Sequence, residues 1–259
     1  MDWQSVLRIA LFAVLSLPPP LAAAEPWLDS RQIGPMACFA DFNLESQRPL
    51  MDDLARLEKQ LTLHLGVPPV REEIRVYLFR DRSGYDAYLR RHLPNVPYRR
   101  ALYVKNGEPG MVLAYRHSQF DVDLRHECTH ALLHAALSNV PLWLDEGLAG
   151  HFEMPSNRRA FGHPHLAEIQ KDLRFGSTPP LAALEARMDV TQMGAAEYRQ
   201  AWAWVHFMLY GPREAHEELV RFLAESQNSA RPLVLSDRLA ARIPHVDRRF
   251  REHFLRWRP

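Results

Sequence analysis

Two histidines four residues apart frame the pentapeptide His126-Glu127-Cys128-Thr129-His130, and fifteen residues separate His130 from Glu146 in Trp143-Leu144-Asp145-Glu146-Gly147-Leu148-Ala149. On a helix, residues four apart lie about 40° apart around the axis, so His126 and His130 share a face and can grip one metal ion. Glu127 is offset from His126 by about 100°, near enough to act on a water beside the metal without ligating it. These types and spacings define hydrolysis by a zinc-activated water.

From 13 histidines in 259 residues, and the glutamates beside them, a chance His-Glu-x-x-His arises with a probability of roughly 0.04. Its context sharpens it, because Val122, Leu124, Leu132, Leu133 and Leu137 give the flanks a helical apolar period. Hydrolytic zinc takes three protein ligands and keeps one position for water. A third histidine six residues past the second is excluded, since Ala136 stands there, and Leu133 stands where that arrangement has glycine. His134, Asp145, Glu146, His151, His163 and His165 remain. His134 lies a further turn along the same face and reads as a residue flanking the site. His151 reads as a rim or surface residue, and His163 and His165 as surface histidines of a Gly/Pro-containing loop. Glu146 is favoured, because it falls about one turn into a following antiparallel helix and Gly147 beside it permits close helix approach. Asp145 would orient a ligand imidazole by accepting its other N–H.

These residues need a helix pair to hold them. Phe120 to Leu137 reads as the motif helix, Asn139-Val140-Pro141 breaks it, and Leu142 to Phe152 reads as the second helix, with Pro141 at its start. Upstream, strands are expected over Met36–Phe42, Ile74–Phe79, Ala101–Lys105 and Met111–Tyr115, and helices over Leu44–Leu65 and Ser83–Leu93. Asn106-Gly107-Glu108-Pro109-Gly110 supplies the turn of a hairpin between the last two strands. Beyond Pro155 only helices are expected, over Leu166–Leu173, Leu181–Ala186, Ala195–Tyr210, Arg213–Glu225 and Val246–Trp257. The expected class is α+β: a small sheet packed with the motif helix over residues 25–155, then a mostly helical lobe over 156–259.

A composition of 47% hydrophobic and 24% charged residues with a net charge of +1 is that of a globular chain and points to neither nucleic acid nor an anionic membrane as partner. Leu7 to Leu17 is almost wholly apolar and leads into Pro18-Pro19-Pro20-Leu21-Ala22-Ala23-Ala24. This reads as a signal peptide over 1–24, cleaved after Ala24, which sends the protein to the periplasm or outside the cell with no stable membrane insertion afterwards. Export would permit a bridge between the two cysteines, Cys38 and Cys128; two separate buried thiols are the alternative. Cys128 faces away from the metal side of its helix, towards the core.

The two motifs together resemble the gluzincin (thermolysin-like, peptidase-MA) superfamily, in particular bacterial exported proteins with a peptidase-MA-like domain, over roughly residues 33–225. The resemblance implies Zn²⁺ held by His126, His130 and Glu146, with Glu127 as general base and then acid. It also implies a hairpin whose edge strand binds substrate backbone, which matches Met111–Tyr115. The spacing from His130 to Glu146 is shorter here than in the best-known members. The aminopeptidase branch carries a Gly-x-Met-Glu-Asn run on that strand, whereas Gly110-Met111-Val112-Leu113-Ala114 has no glutamate. For the oxyanion-stabilising residue the resemblance offers Tyr198, and His206, eight residues on, could share that task. The activity expected is a zinc metallopeptidase acting on peptides or proteins. A zinc amidase acting on cell-envelope material and a non-catalytic metal-containing binding module are the rival readings.

Overall fold

In the computed structural model, residues 27–105, 109–176, 179–229 and 233–258 are described. The signal-peptide segment 1–24 and the turn residues 106–108 lie outside them. The architecture is α+β, a five-stranded sheet followed by helices. Two compact units divide the chain, one of residues 27–59 and 69–136, the other of residues 60–68 and 137–258. The division falls ahead of the Leu142–Phe152 helix, whereas the sequence reading sets its lobe boundary at 155.

The first unit holds β1 (Asp29–Ile33), β2 (Met36–Ala40), most of α1 (Arg48–Leu65), β3 (Ile74–Phe79), α2 (Arg82–His92), β4 (Ala101–Val104), β5 (Met111–Tyr115) and α3 (Phe120–Ala136). A short 3-10 turn, Leu44–Gln47, leads into α1. The sheet order is β1-β2-β3-β5-β4, with β2, β3 and β5 parallel and the two outer strands antiparallel. Strand periodicity of two sorts the side chains onto two faces. Met36, Cys38 and Ala40 stand in register with Ile74, Val76 and Leu78, and Val112 and Ala114 continue that row, all essentially without exposure. On the opposite face Phe79, Leu102, Val104, Leu113 and Tyr115 pack with Tyr85 and Leu89 of α2.

This order corrects one expectation. Met111–Tyr115 is hydrogen-bonded on both sides, to β3 and to β4, so it is not an edge strand. The edge on that side is Ala101–Val104, and it carries no glutamate either. The other edge, β1, was not expected from the sequence at all. Its residues Asp-Ser-Arg-Gln-Ile are polar but for the last, as suits an edge strand, and Gly34 at φ 55° turns the chain into β2.

The second unit contains α4 (Leu142–Phe152), α5 (His165–Phe175), α6 (Leu181–Glu185), α7 (Ala195–Tyr210), α8 (Arg213–Ser226), α9 (Leu235–Arg242) and α10 (Val246–Arg256). Helix α7 lies at its centre, packed by α4, α5, α6, α8 and α10. Every residue from Ala201 to Met208 is buried, so this helix has neighbours around its whole circumference. Helix α9 has only two buried residues, Leu235 and Leu239, too few for a periodic signal. It is tied down by charge instead: Arg238 and Arg242 both donate to the buried carboxylate of Glu218 on α8.

Candidate metal centre

Helix α3 is an unusual segment to bury, for every residue from Asp123 to Leu133 is buried and six of the first eight are ionisable. Burial of such groups is tolerated only with partners. Asp123 receives Arg100 Nε at 3.1 Å and faces His117 Nε2 at 3.3 Å. Arg125 Nη1 donates to Asp53 on α1 at 3.4 Å. Asp121 and Asp123 in the first turn complement the positive end of the helix. Thr129 returns its hydroxyl proton to the Arg125 carbonyl at 2.8 Å.

His126 and His130 project from one face, as their spacing requires, with ring centroids 4.8 Å apart. Their Nε2 atoms converge to 3.1 Å. Two nitrogens held by one tetrahedral zinc, each at about 2.0–2.1 Å, would stand roughly 3.3 Å apart, so the pair is set at close to that separation. His126 and His130 are buried in the first unit, and Glu146 is buried in the second. Two imidazoles and one carboxylate form the donor set of a hydrolytic zinc site with a position left for water. Glu127 is 8% exposed, which leaves it a small opening to water. Asp145 is buried beside Glu146.

Gly147 has a role in the second unit that the sequence does not reveal. A Cβ there would stand 2.6 Å from the Ala201 carbonyl oxygen and 2.8 Å from a Val205 methyl. The close approach it permits is thus of α4 to α7, and that approach fixes where along its neighbour the Glu146 turn lies.

The remaining expected residues divide. His134 is half-buried with its ring 6.2 Å from that of His130 and 5.4 Å from Tyr103, and its carbonyl accepts from Lys105 Nζ at 2.9 Å. Cys128 is fully buried, and it and Cys38 are separate thiols. Burial pushes the Cys38 thiol up to about 12; burial first, then Cys38 and Glu127, hold the Cys128 thiol well above its ordinary value. Neither is a reactive thiolate near neutral pH.

His151 and His163, read from the sequence as rim or surface residues, belong to the core of the helical unit, and so does His206, for which the sequence also favours a place in the helical core. His151 is 3% exposed and held neutral, chiefly by burial and next by the Arg159 guanidinium, so it is no rim residue. His163 is 5% exposed, stacks on Trp202 at 4.7 Å, accepts at Nδ1 from the His165 backbone N–H and therefore donates through Nε2 to Glu153. His206 is completely buried. Its Nε2–H donates to the Ala160 carbonyl at 3.0 Å, which leaves Nδ1 to accept from His253 Nε2–H at 3.1 Å. With both ring nitrogens engaged, His206 has no donor for an oxyanion. Gly and Pro around residues 161–164 signal a loop, and nothing in sequence shows that a loop histidine will meet Trp202. Tyr198 is half-buried on α7, the helix that α4 packs against. A cavity of about 570 Å³ in this unit is lined by Phe207, Arg248, Arg249, His253, Arg256 and Trp257 among others, and by none of the candidate site residues.

No protein-family model matches the sequence, and no curated protein matches it. Among solved structures the chain is similar to the M1 zinc metallopeptidase from Deinococcus radiodurans, with a TM-score of 0.49 and 16% sequence identity over 88% of this chain and 50% of that one. A second structure of that enzyme, a point mutant, gives a TM-score of 0.49 and 16% identity over 89% and 51%. The chain spans about half the length of that enzyme.

Proposed function

We propose that this protein is a zinc-dependent peptidase in which His126, His130 and Glu146 hold the metal. The observation that carries this reading is the convergence of the two Nε2 atoms at 3.1 Å, with Glu127 one residue along the helix from His126. Zinc, when bound there, supplies a Lewis acid that acidifies water towards neutral pH and polarises a peptide carbonyl. The chain's own residues do the rest. His126 and His130 ligate as neutral rings with their protons on Nδ1, and Asp145 accepts one of those protons in a hydrogen bond, fixing the ring. Glu127 accepts the proton of the attacking water on a carboxylate oxygen and returns it to the departing amine nitrogen. Tyr198 donates its phenolic hydrogen to the developing oxyanion. Glu127 is what favours peptidase over a metal-containing binding module, since a structural site does not call for a base beside its ligands.

The leader at 1–24 would place this activity in the periplasm or outside the cell. Among the described residues no helix is long and apolar enough to cross a membrane.

The reading is tested by metal content. Protein purified in zinc-containing buffer and exhaustively dialysed is expected to retain one zinc per chain by elemental analysis, and His130→Ala to retain none. Equal zinc in both would remove the proposed ligand set.

A further inference from the structure

Helix α10 sorts its side chains into two sets. Phe250 and Phe254 are buried, with Phe250 stacked on Trp204 of α7 at 4.2 Å, and they hold the helix against its unit. Arg248, Arg249, Glu252 and Arg256 are exposed and, with the half-buried Trp257, line the cavity of about 570 Å³. Arg249 and Arg256 are seven residues apart, so on a helix they lie about 20° apart around the axis and about 10.5 Å apart along it. They share one face. Arg248 faces Glu252 at 4.0 Å, and among the described residues no carboxylate pairs with Arg249 or Arg256. Other arginines of this unit are matched: Arg199, Arg213, Arg221, Arg238 and Arg242 each meet a carboxylate within 3.4 Å. Three guanidiniums against one carboxylate leave an excess of two positive charges around the cavity, and a guanidinium keeps its charge at any working pH. His253, also at the cavity, adds no donor in its neutral form, since its Nε2–H is given to His206.

We propose that this cavity binds a small organic dianion, a phosphate monoester or a dicarboxylate, held by Arg249 and Arg256. The site goes beyond the metal-centre reading and does not depend on it, for no residue of the cavity belongs to that centre. Its volume falls within the range of small-molecule sites, roughly 300–1,000 Å³. Planar guanidinium forks match carboxylate and phosphate oxygens in bidentate pairs, and such charge-assisted hydrogen bonds are about twice as strong as neutral ones. With no carboxylate to give up, Arg249 and Arg256 exchange only water for the incoming anion. The wall beside them is fixed in advance: Trp257 donates its Nε1–H to the Ala160 carbonyl at 2.7 Å, and Phe161 stacks on its ring at 5.1 Å. Trp257 and Pro212 offer apolar surface to the body of the ligand.

The test is isothermal titration calorimetry on the full chain with phenyl phosphate and isophthalate as probes, at about pH 7.5, where a phosphate monoester is mostly dianionic. At least one of the two is expected to bind, one molecule per chain, and the tighter of them tells phosphate from carboxylate. Arg249→Gln and Arg256→Gln are each expected to weaken that binding by about tenfold or more. Arg251→Gln, on the same helix but about 200° round from Arg249, removes the same charge and is expected to leave the affinity unchanged. None of the three side chains is buried, so the variants should keep the wild-type circular dichroism. No heat of binding from either probe at millimolar concentration overturns the proposal. So does binding that survives unchanged in Arg249→Gln and Arg256→Gln. An equal loss in all three variants overturns it too, since that marks attraction by overall charge and not a site.

Discussion

Glu127→Gln is expected to lower peptide turnover by about 10³-fold or more while zinc content stays at one per chain. The substitution keeps the shape and length of the side chain and removes only its ability to take a proton. The imidazoles of His126 and His130, whose Nε2 atoms converge, are left as they are. The amide can still hydrogen-bond to water, so binding of substrate should be little affected and the loss should appear in kcat, as for an interaction made only in the transition state. Turnover of a fluorescence-quenched peptide, with zinc measured on the same sample, decides the matter; a variant that cleaves at the wild-type rate would show that Glu127 is not the base.

The second large effect is a loss of stability in mild acid, and it comes from the helical unit. His206 is pulled down to about 3 and His253 to about 4, both chiefly by burial, and His151 lies well below its ordinary value for the same reason. Each is neutral in the folded protein and titrates near 6.5 when unfolded. Between about 4 and 6.5 the unfolded chain thus binds protons that the folded chain refuses, and stability falls with pH through that window. Above 6.5 the contribution is fully present. At pH 5 a fully buried neutral histidine costs about 2 kcal/mol relative to neutral pH. His206 then removes about that much, His151 adds to the loss in the same direction, and the more exposed His253 adds less. Against a total stability of about 5–15 kcal/mol that loss is large. The window lies above the ordinary carboxylate range, so acidic side chains contribute little to it. Denaturant midpoints followed by tryptophan fluorescence are expected to fall steadily from pH 6.5 to 5, and His253→Gln, which removes one titrating group, is expected to flatten the slope. A midpoint independent of pH over that range would contradict the histidine account.

The motif helix and its partner were legible because their signals are local. Apolar period, a proline at the front of the second helix and turn chemistry between them fix Leu142–Phe152 and Ala195–Tyr210 to the residue, and Phe120–Ala136 to within one. The same holds for Ile74–Phe79, where alternation is clear. What was not legible is set by distant contacts. Strand β1 exists because β2 offers it a ladder, not because its polar residues favour extension. The place of Met111–Tyr115 inside the sheet follows from pairing with β3, which no short-range pattern encodes. His151, His163 and His206 look polar in sequence but are core residues once Trp202, Glu153 and the Ala160 carbonyl surround them. Gly147 was rightly singled out for close approach, although the backbone that approaches is that of Ala201.

The most direct test of the central claim is digestion of a broad peptide library by the full chain, with and without a chelator, cleavage being mapped by mass spectrometry. The account predicts cut peptide bonds that vanish with the chelator and return on adding zinc. Cleavage that persists without metal, or no cleavage by protein carrying one zinc per chain, would contradict it.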